Sequence, residues 1–150
     1  MLLRVANIAA DYLQYRFDSD GPKGKIEKMV LYTYLTTFDG VPYFNLGFGD
    51  YDDKKKRIDD LTVSNNGDRD KILATVAFTA LEFTSQYQGC RIVIRGITLS
   101  RTRLYQTGIA KYYGEISQVF DIQGLTATGD WEPFKGGENY RTFLASRKKW

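Results

Sequence analysis

The chain has 150 residues, 43% of them hydrophobic and 26% charged, the composition of one globular domain large enough to bury a core. It has no histidine and a single cysteine, which excludes Ser-His-Asp and Cys-His catalysis, the usual zinc sites and an internal disulfide. The net charge of +3 is unevenly placed: residues 1–90 carry 11 basic and 13 acidic side chains, and residues 91–150 carry 10 and 5.

Tyr12 to Phe17 alternates as a strand does, and Asp18 to Gly24 has the composition of a loop. Lys25 to Thr37 is a long strand that forms a hairpin with it. Asp39-Gly40 is a second turn, followed by a strand from Val41 to Phe48. Lys54-Lys55-Lys56 reads as an exposed loop, and Ile58 to Val63 as a short strand. Asn65-Asn66-Gly67 is a turn signal, with Asp68 as N-cap of a helix in which Ile72, Leu73, Val76, Ala77, Ala80, Leu81 and Thr84 recur at helical spacing. Gly89 ends that helix. Cys90 to Arg95 is a β-branched run, with Cys90, Ile92 and Ile94 on the face that a helix would bury and Arg91, Val93 and Arg95 on a wetter one. Ser100 is placed to cap a second helix, whose apolar stripe is Leu104, Ile109, Tyr112, Tyr113 and Ile116. Val119 to Gln123 is a strand. Gly124 to Gly137 is irregular and pinned by Trp131 and Phe134, Tyr140 to Ser146 is a last strand, and Arg147-Lys148-Lys149 is a basic tail.

This order predicts a single α+β domain over residues 1–150. Its antiparallel sheet has an N-terminal meander of about four strands plus later strands, with two main helices packed on one face. No apolar run is long enough to span a membrane, and the N-terminal apolar stretch is too short for a signal peptide. One cysteine fits a reducing cytoplasm, which is the expected location.

Several strings occur in one order: Tyr15-Arg16-Phe17-Asp18-Ser19-Asp20-Gly21-Pro22-Lys23-Gly24-Lys25-Ile26, Phe44-Asn45-Leu46-Gly47-Phe48-Gly49-Asp50, Ile58-Asp59-Asp60, Asn65-Asn66-Gly67-Asp68, Leu73-Ala74-Thr75-Val76 and Arg101-Thr102-Arg103-Leu104-Tyr105. In these the chain resembles a family of short, uncharacterised Bacteroidota proteins, a domain of unknown function. The resemblance covers most of the chain. It implies a single domain and supplies no catalytic residues.

The leading candidate site is Arg101, Arg103 and Tyr105 with Arg91 and Arg95 on the preceding strand. A strand running into a helix N-terminus concentrates backbone donors and positive potential, and arginines facing outward there would hold phosphate. That arrangement points to a binding module for an acidic ligand, nucleic acid in particular, with sheet tyrosines for stacking. A histidine-free, toxin-like ribonuclease or hydrolase would need the same groups. The competing reading is structural, with the arginines paired to Asp59, Asp60 or Glu115. A protein-interaction domain, homo-oligomeric or paired with another chain, is the third alternative, and an exposed sheet edge or a flat tyrosine-rich patch would favour it. No cofactor and no metal are expected. Asp50, Asp52, Asp53, Asp59 and Asp60 fit no calcium loop, and Lys54 to Arg57 lie among them, so turn and capping roles are the better reading. Gly47-Phe48-Gly49-Asp50 lacks a following lysine-serine pair and reads as a turn or bulge at a strand end. Cys90 reads as a buried structural thiol.

Overall fold

The computed structural model describes residues 5–8, 11–59, 69–96 and 98–148. Among the described residues it has nine strands and three helices, in a mixed and mostly antiparallel sheet, so the chain is α+β. The chain divides into two compact units, one from residues 1–33 and 47–87, the other from 34–46 and 88–150.

β1 (Val5–Ile8), β2 (Gln14–Gly21), β3 (Gly24–Phe38) and β4 (Val41–Asp52) follow in order, and β5 (Arg57–Asp59) pairs with β4; the first unit holds β3 as far as Thr33 and β4 from Gly47, and the hairpin between them, Tyr34–Leu46, belongs to the second. The expected meander is present. The segment Asp18 to Gly24, expected as a loop, is instead strand as far as Gly21. It pairs Asp18 with Glu27, Ser19 with Ile26 and Gly21 with Gly24, so the turn shrinks to Pro22-Lys23. Gly24 accepts the left-handed φ of 84° that so short a turn demands. Gly47 and Gly49 likewise lie inside β4 rather than at a strand end. Asp60 to Asp68, including the expected N-cap and most of the strand expected to Val63, lie outside the described residues.

The helix α1 (Arg69–Gln86) buries Ile72, Thr75, Thr79, Phe83 and Thr84. Leu73, Val76, Ala77, Ala80 and Leu81 are only half-buried, so the buried stripe is rotated from the one the apolar residues suggested. Threonine is tolerated on it because Thr75, Thr79 and Thr84 each return their hydroxyl to a carbonyl of their own helix. Phe83 stacks flat on Tyr32 of β3, with centroids 4.0 Å apart, and the Tyr32 hydroxyl lies 2.9 Å from Thr79 Oγ1. Buried Lys28 forms an ion pair with the half-buried Asp50.

In the second unit the strand order is β4, β6 (Arg91–Ile94), β9 (Phe143–Arg147), β7 (Phe120–Leu125) and β8 (Trp131–Pro133). The β4–β6 pairing is parallel, with Phe44 beside Ile92 and Leu46 beside Ile94. The last strand, β9, is inserted between β6 and β7 and antiparallel to both. The side chains on one face are mostly apolar and buried, Phe44, Ile92, Phe143, Ala145 and Ile122 among them. Helix α2 (Leu99–Lys111) is followed by the short α3 (Tyr113–Ile116), so the second helix is broken at Tyr112. Phe134 is buried as expected, against Tyr140 and Phe143. Trp131 is not pinned but 46% exposed. The hairpin between β3 and β4 turns at Asp39 and Gly40, with φ of 52° and 77°, the signature of the tight turn that an Asp-Gly pair favours.

Candidate functional site

Strand alternation puts Arg91 on the solvent side of β6 and Ile92 on the buried one; just outside the strand, Cys90 is buried and Arg95 is exposed. The parallel register sets Arg91 beside Tyr43. Arg91 Nη1 donates to Tyr43 Oη at 3.2 Å, and its guanidinium carbon lies 5.8 Å from the ring centroid. The pair is an exposed cation lying by an aromatic ring.

Past β6 the chain closes tightly. Gly96 N donates to Thr102 Oγ1 at 3.1 Å, and that hydroxyl lies 3.4 Å from Gly96 O. A Cβ built on Gly96 would lie 2.5 Å from Thr102 N and 2.6 Å from Arg101 Cβ, so only glycine lets the first turn of α2 come this near. The N-cap is Thr98 rather than Ser100: Thr98 Oγ1 accepts from Arg101 N at 3.2 Å.

That docking decides which face of α2 turns inward. Arg101, Thr102, Tyr105, Gln106, Gly108 and Ile109 are buried. Arg101 and Tyr105 do share a helical face, but it is the inner one. Arg101 is only 4% exposed, and both residues are engaged within the protein. The expectation that the guanidinium groups just past Ser100 face outward therefore fails for Arg101. Arg103 is half-buried, and its Nη1, shielded from solvent, has no hydrogen-bond acceptor among the described residues. The five singled-out residues thus split. Arg91 and Arg95 are exposed, Arg101 and Tyr105 lie inside, and Arg103 stands between.

Of the aspartates, Asp50 pairs with Lys28 of β3, whereas Asp52 and Asp53 take local roles. Asp52 accepts from Lys54 N and Lys55 N, closing the lysine turn, and Asp53 pairs with Lys56. Among the described residues no three of Cys, Asp and Glu gather to hold a metal ion. Burial pushes the Cys90 thiol up to about 11, against any nucleophilic role near neutrality.

A different feature carries no chemistry of its own. β2 accompanies β3 only as far as Tyr32, whose N–H donates to Leu13 O, and just before that Tyr12 leaves the extended conformation at a φ of 60°. From Thr33 to Phe38 every residue of β3 is exposed, including Tyr34 at 55%, Leu35 at 50% and Phe38 at 71%. Among the described residues no strand pairs with this stretch on the side that β2 leaves. The sequence reading singled out none of these residues, although the unequal lengths of the two strands already implied an overhang.

The model of DUF6934, a family of unknown function, matches residues 5–148. The chain belongs to that family. No curated protein and no solved structure matches it. Membership in DUF6934 therefore assigns no chemistry to the arginines or to the open edge, and no helix among the described residues is long and apolar enough to cross a membrane.

Proposed function

We propose that this chain is a cytoplasmic protein-interaction domain that takes an extended partner strand along Tyr34–Phe38. The observation that carries this reading is the length of β3 beyond β2, exposed at every residue. A strand edge offers unpaired backbone N–H and C=O groups, and strand addition is the standard way to satisfy them. Tyr34, Leu35 and Phe38 add apolar surface that gains from being covered. A buried thiol and the lack of a second cysteine support the reducing compartment. Backbone pairing tolerates many sequences, so a hexapeptide of alternating threonine and valine serves as probe. At about millimolar concentration, typical of a single short strand, it shifts the amide resonances within Tyr34–Phe38 and leaves those of α1 unmoved. Shifts spread over the whole protein, or none, overturn the reading.

The Arg91–Tyr43 pair favours a second reading, a binding surface for an acidic ligand such as nucleic acid. It lies on the open face of the sheet, Arg95 just past the strand is exposed too, and residues 91–150 carry the excess of basic charge. The arginines of α2 support it less, because Arg101 is already engaged inside the protein. Fluorescence anisotropy with a labelled single-stranded oligonucleotide at low salt tests it. Binding that Arg91→Ala weakens several-fold supports this surface, and binding indifferent to Arg91 removes it.

A further inference from the structure

Resting on the reading of the Tyr34–Phe38 edge just given, we infer that its partner is a second copy of this chain, paired antiparallel about a two-fold axis near Leu35 and Thr36. A two-fold contact uses the same patch on both copies, so the patch must be complementary to itself. This one is. No charged residue occurs from Met29 to Phe38, so two copies laid edge to edge bring no like charges into opposition. The apolar side chains lie on both sides of the centre. Tyr34 and Leu35 of one copy come within reach of Thr37 and Phe38 of the other, covering surface that is now half exposed or more.

The charge at the hairpin tip chooses the direction. Asp39 follows Phe38 directly and sits in the turn. A parallel pairing in register would bring the two Asp39 side chains to about 5 Å, the spacing of neighbouring strands. The antiparallel pairing sets them at opposite ends, about 20 Å apart at ~3.3 Å per residue, well beyond the screening length of about 8 Å at physiological salt. The strand is not perfectly regular here. Tyr34 Oη lies 2.7 Å from Thr37 Oγ1, a contact that strict alternation would not allow, so the pairing follows a twisted edge. One short strand pair with its flanking side chains falls in the small, exchanging class of interface. The dimer is therefore concentration-dependent.

Analytical ultracentrifugation of the full chain between about 10 µM and 1 mM, the range of weak association, reads this directly. The dimer fraction rises over that range. Thr36→Lys, at an exposed position beside the axis, puts two lysines against each other and raises the apparent dissociation constant at least about tenfold. Circular dichroism and the thermal midpoint stay unchanged because the residue is exposed. Mixing Thr36→Lys with Thr36→Glu restores the dimer as a mixed species. A wild-type dimer that Thr36→Lys leaves intact places the interface elsewhere and overturns the inference. So does a protein that stays monomeric throughout. If that monomer still answers the threonine-valine hexapeptide at Tyr34–Phe38, only the second copy is refuted. If it does not, the reading of the edge falls too.

Discussion

Gly96→Ala is the sharpest probe of the joint between β6 and α2. The added methyl would stand 2.5 Å from Thr102 N, 2.6 Å from Arg101 Cβ and 2.8 Å from Arg101 C. These are roughly 1 Å inside ordinary contact, and two of the three atoms are helix backbone, which cannot rotate away. Inserting a carbon into such a contact costs about 1–3 kcal/mol and at times more. The shift that relieves it also stretches the hydrogen bond from Gly96 N to the Thr102 hydroxyl, worth about 1 kcal/mol. The expected loss is therefore about 2–4 kcal/mol, a large part of the 5–15 kcal/mol that a folded chain commands. In a chain of this size it lowers the melting temperature by roughly 10 °C. Urea unfolding followed by tryptophan fluorescence measures it. Thr102→Val separates the two contributions: it removes the hydroxyl but keeps the shape, and costs about 1–2 kcal/mol. A Gly96→Ala protein within about 0.5 kcal/mol of wild type, the range of an innocuous surface change, would show that α2 does not dock as described. The argument for the inward position of Arg101 would go with it.

Gly124→Ala meets a ring rather than a backbone, with its Cβ 2.3 Å from Tyr140 Cδ1. Tyr140 is held by Glu132, Lys135 N and Gln106, so the ring has nowhere to go. A loss of about 2–3 kcal/mol is expected in chemical denaturation, much of it recovered in the background of Tyr140→Leu. Tyr32→Phe keeps the stack on Phe83 but removes a donor. Thr79 Oγ1 already gives its proton to Val76 O, so Tyr32 donates across the 2.9 Å contact, and its loss costs about 1 kcal/mol in the same assay. At pH 8 the native Cys90 thiol holds about a hundredfold less thiolate than a free one, and reacts correspondingly slowly with a thiol reagent until urea unfolds the chain. Burial raises Cys90 in the folded state, so its contribution to stability is intact below about pH 9 and declines as pH rises toward about 11. Tyr15, raised by burial and then by Glu82, and Tyr140, raised by burial and then by Glu132, act in the same direction at higher pH. Thermal midpoints measured from pH 7 to 11 should fall monotonically above about pH 9.

What the sequence shows well is local. Two-residue alternation sorted the faces of β6, and Asp39-Gly40 announced its turn. What it hides has two causes. The first is polar residues on buried faces. The inner stripe of α2 begins with Arg101 and Thr102 and passes through Gln106, so a search for apolar spacing settles on Leu104, Ile109, Tyr112, Tyr113 and Ile116, of which only Ile109 is buried. The same happens in α1, where Thr75 and Thr79 are fully buried because each satisfies its own hydroxyl. The second cause is distance along the chain. Nothing near Phe143 says that it will lie between β6 and β7, or that β6 will run parallel to β4. Those choices are made by whole strands competing for partners. Likewise Asp18 to Gly21 has loop composition, yet pairing with β3 holds it extended.

The open edge gains weight from how the same unit treats its other margin. β8, outermost in the strand order, is three residues long and ends at an exposed proline, Pro133, with Lys135 close behind. Short length, proline and lysine are the usual devices that keep a sheet margin from recruiting a neighbour. None of them occurs between Thr33 and Phe38, where threonine and aromatic residues of high β propensity stand exposed without a charge. A sheet that guards one margin and, among the described residues, leaves the other unpaired has either a partner for it or a liability. The two differ in stoichiometry. A liability grows without limit as concentration rises, whereas an edge meant for one antiparallel copy is consumed on both sides at once and stops at two.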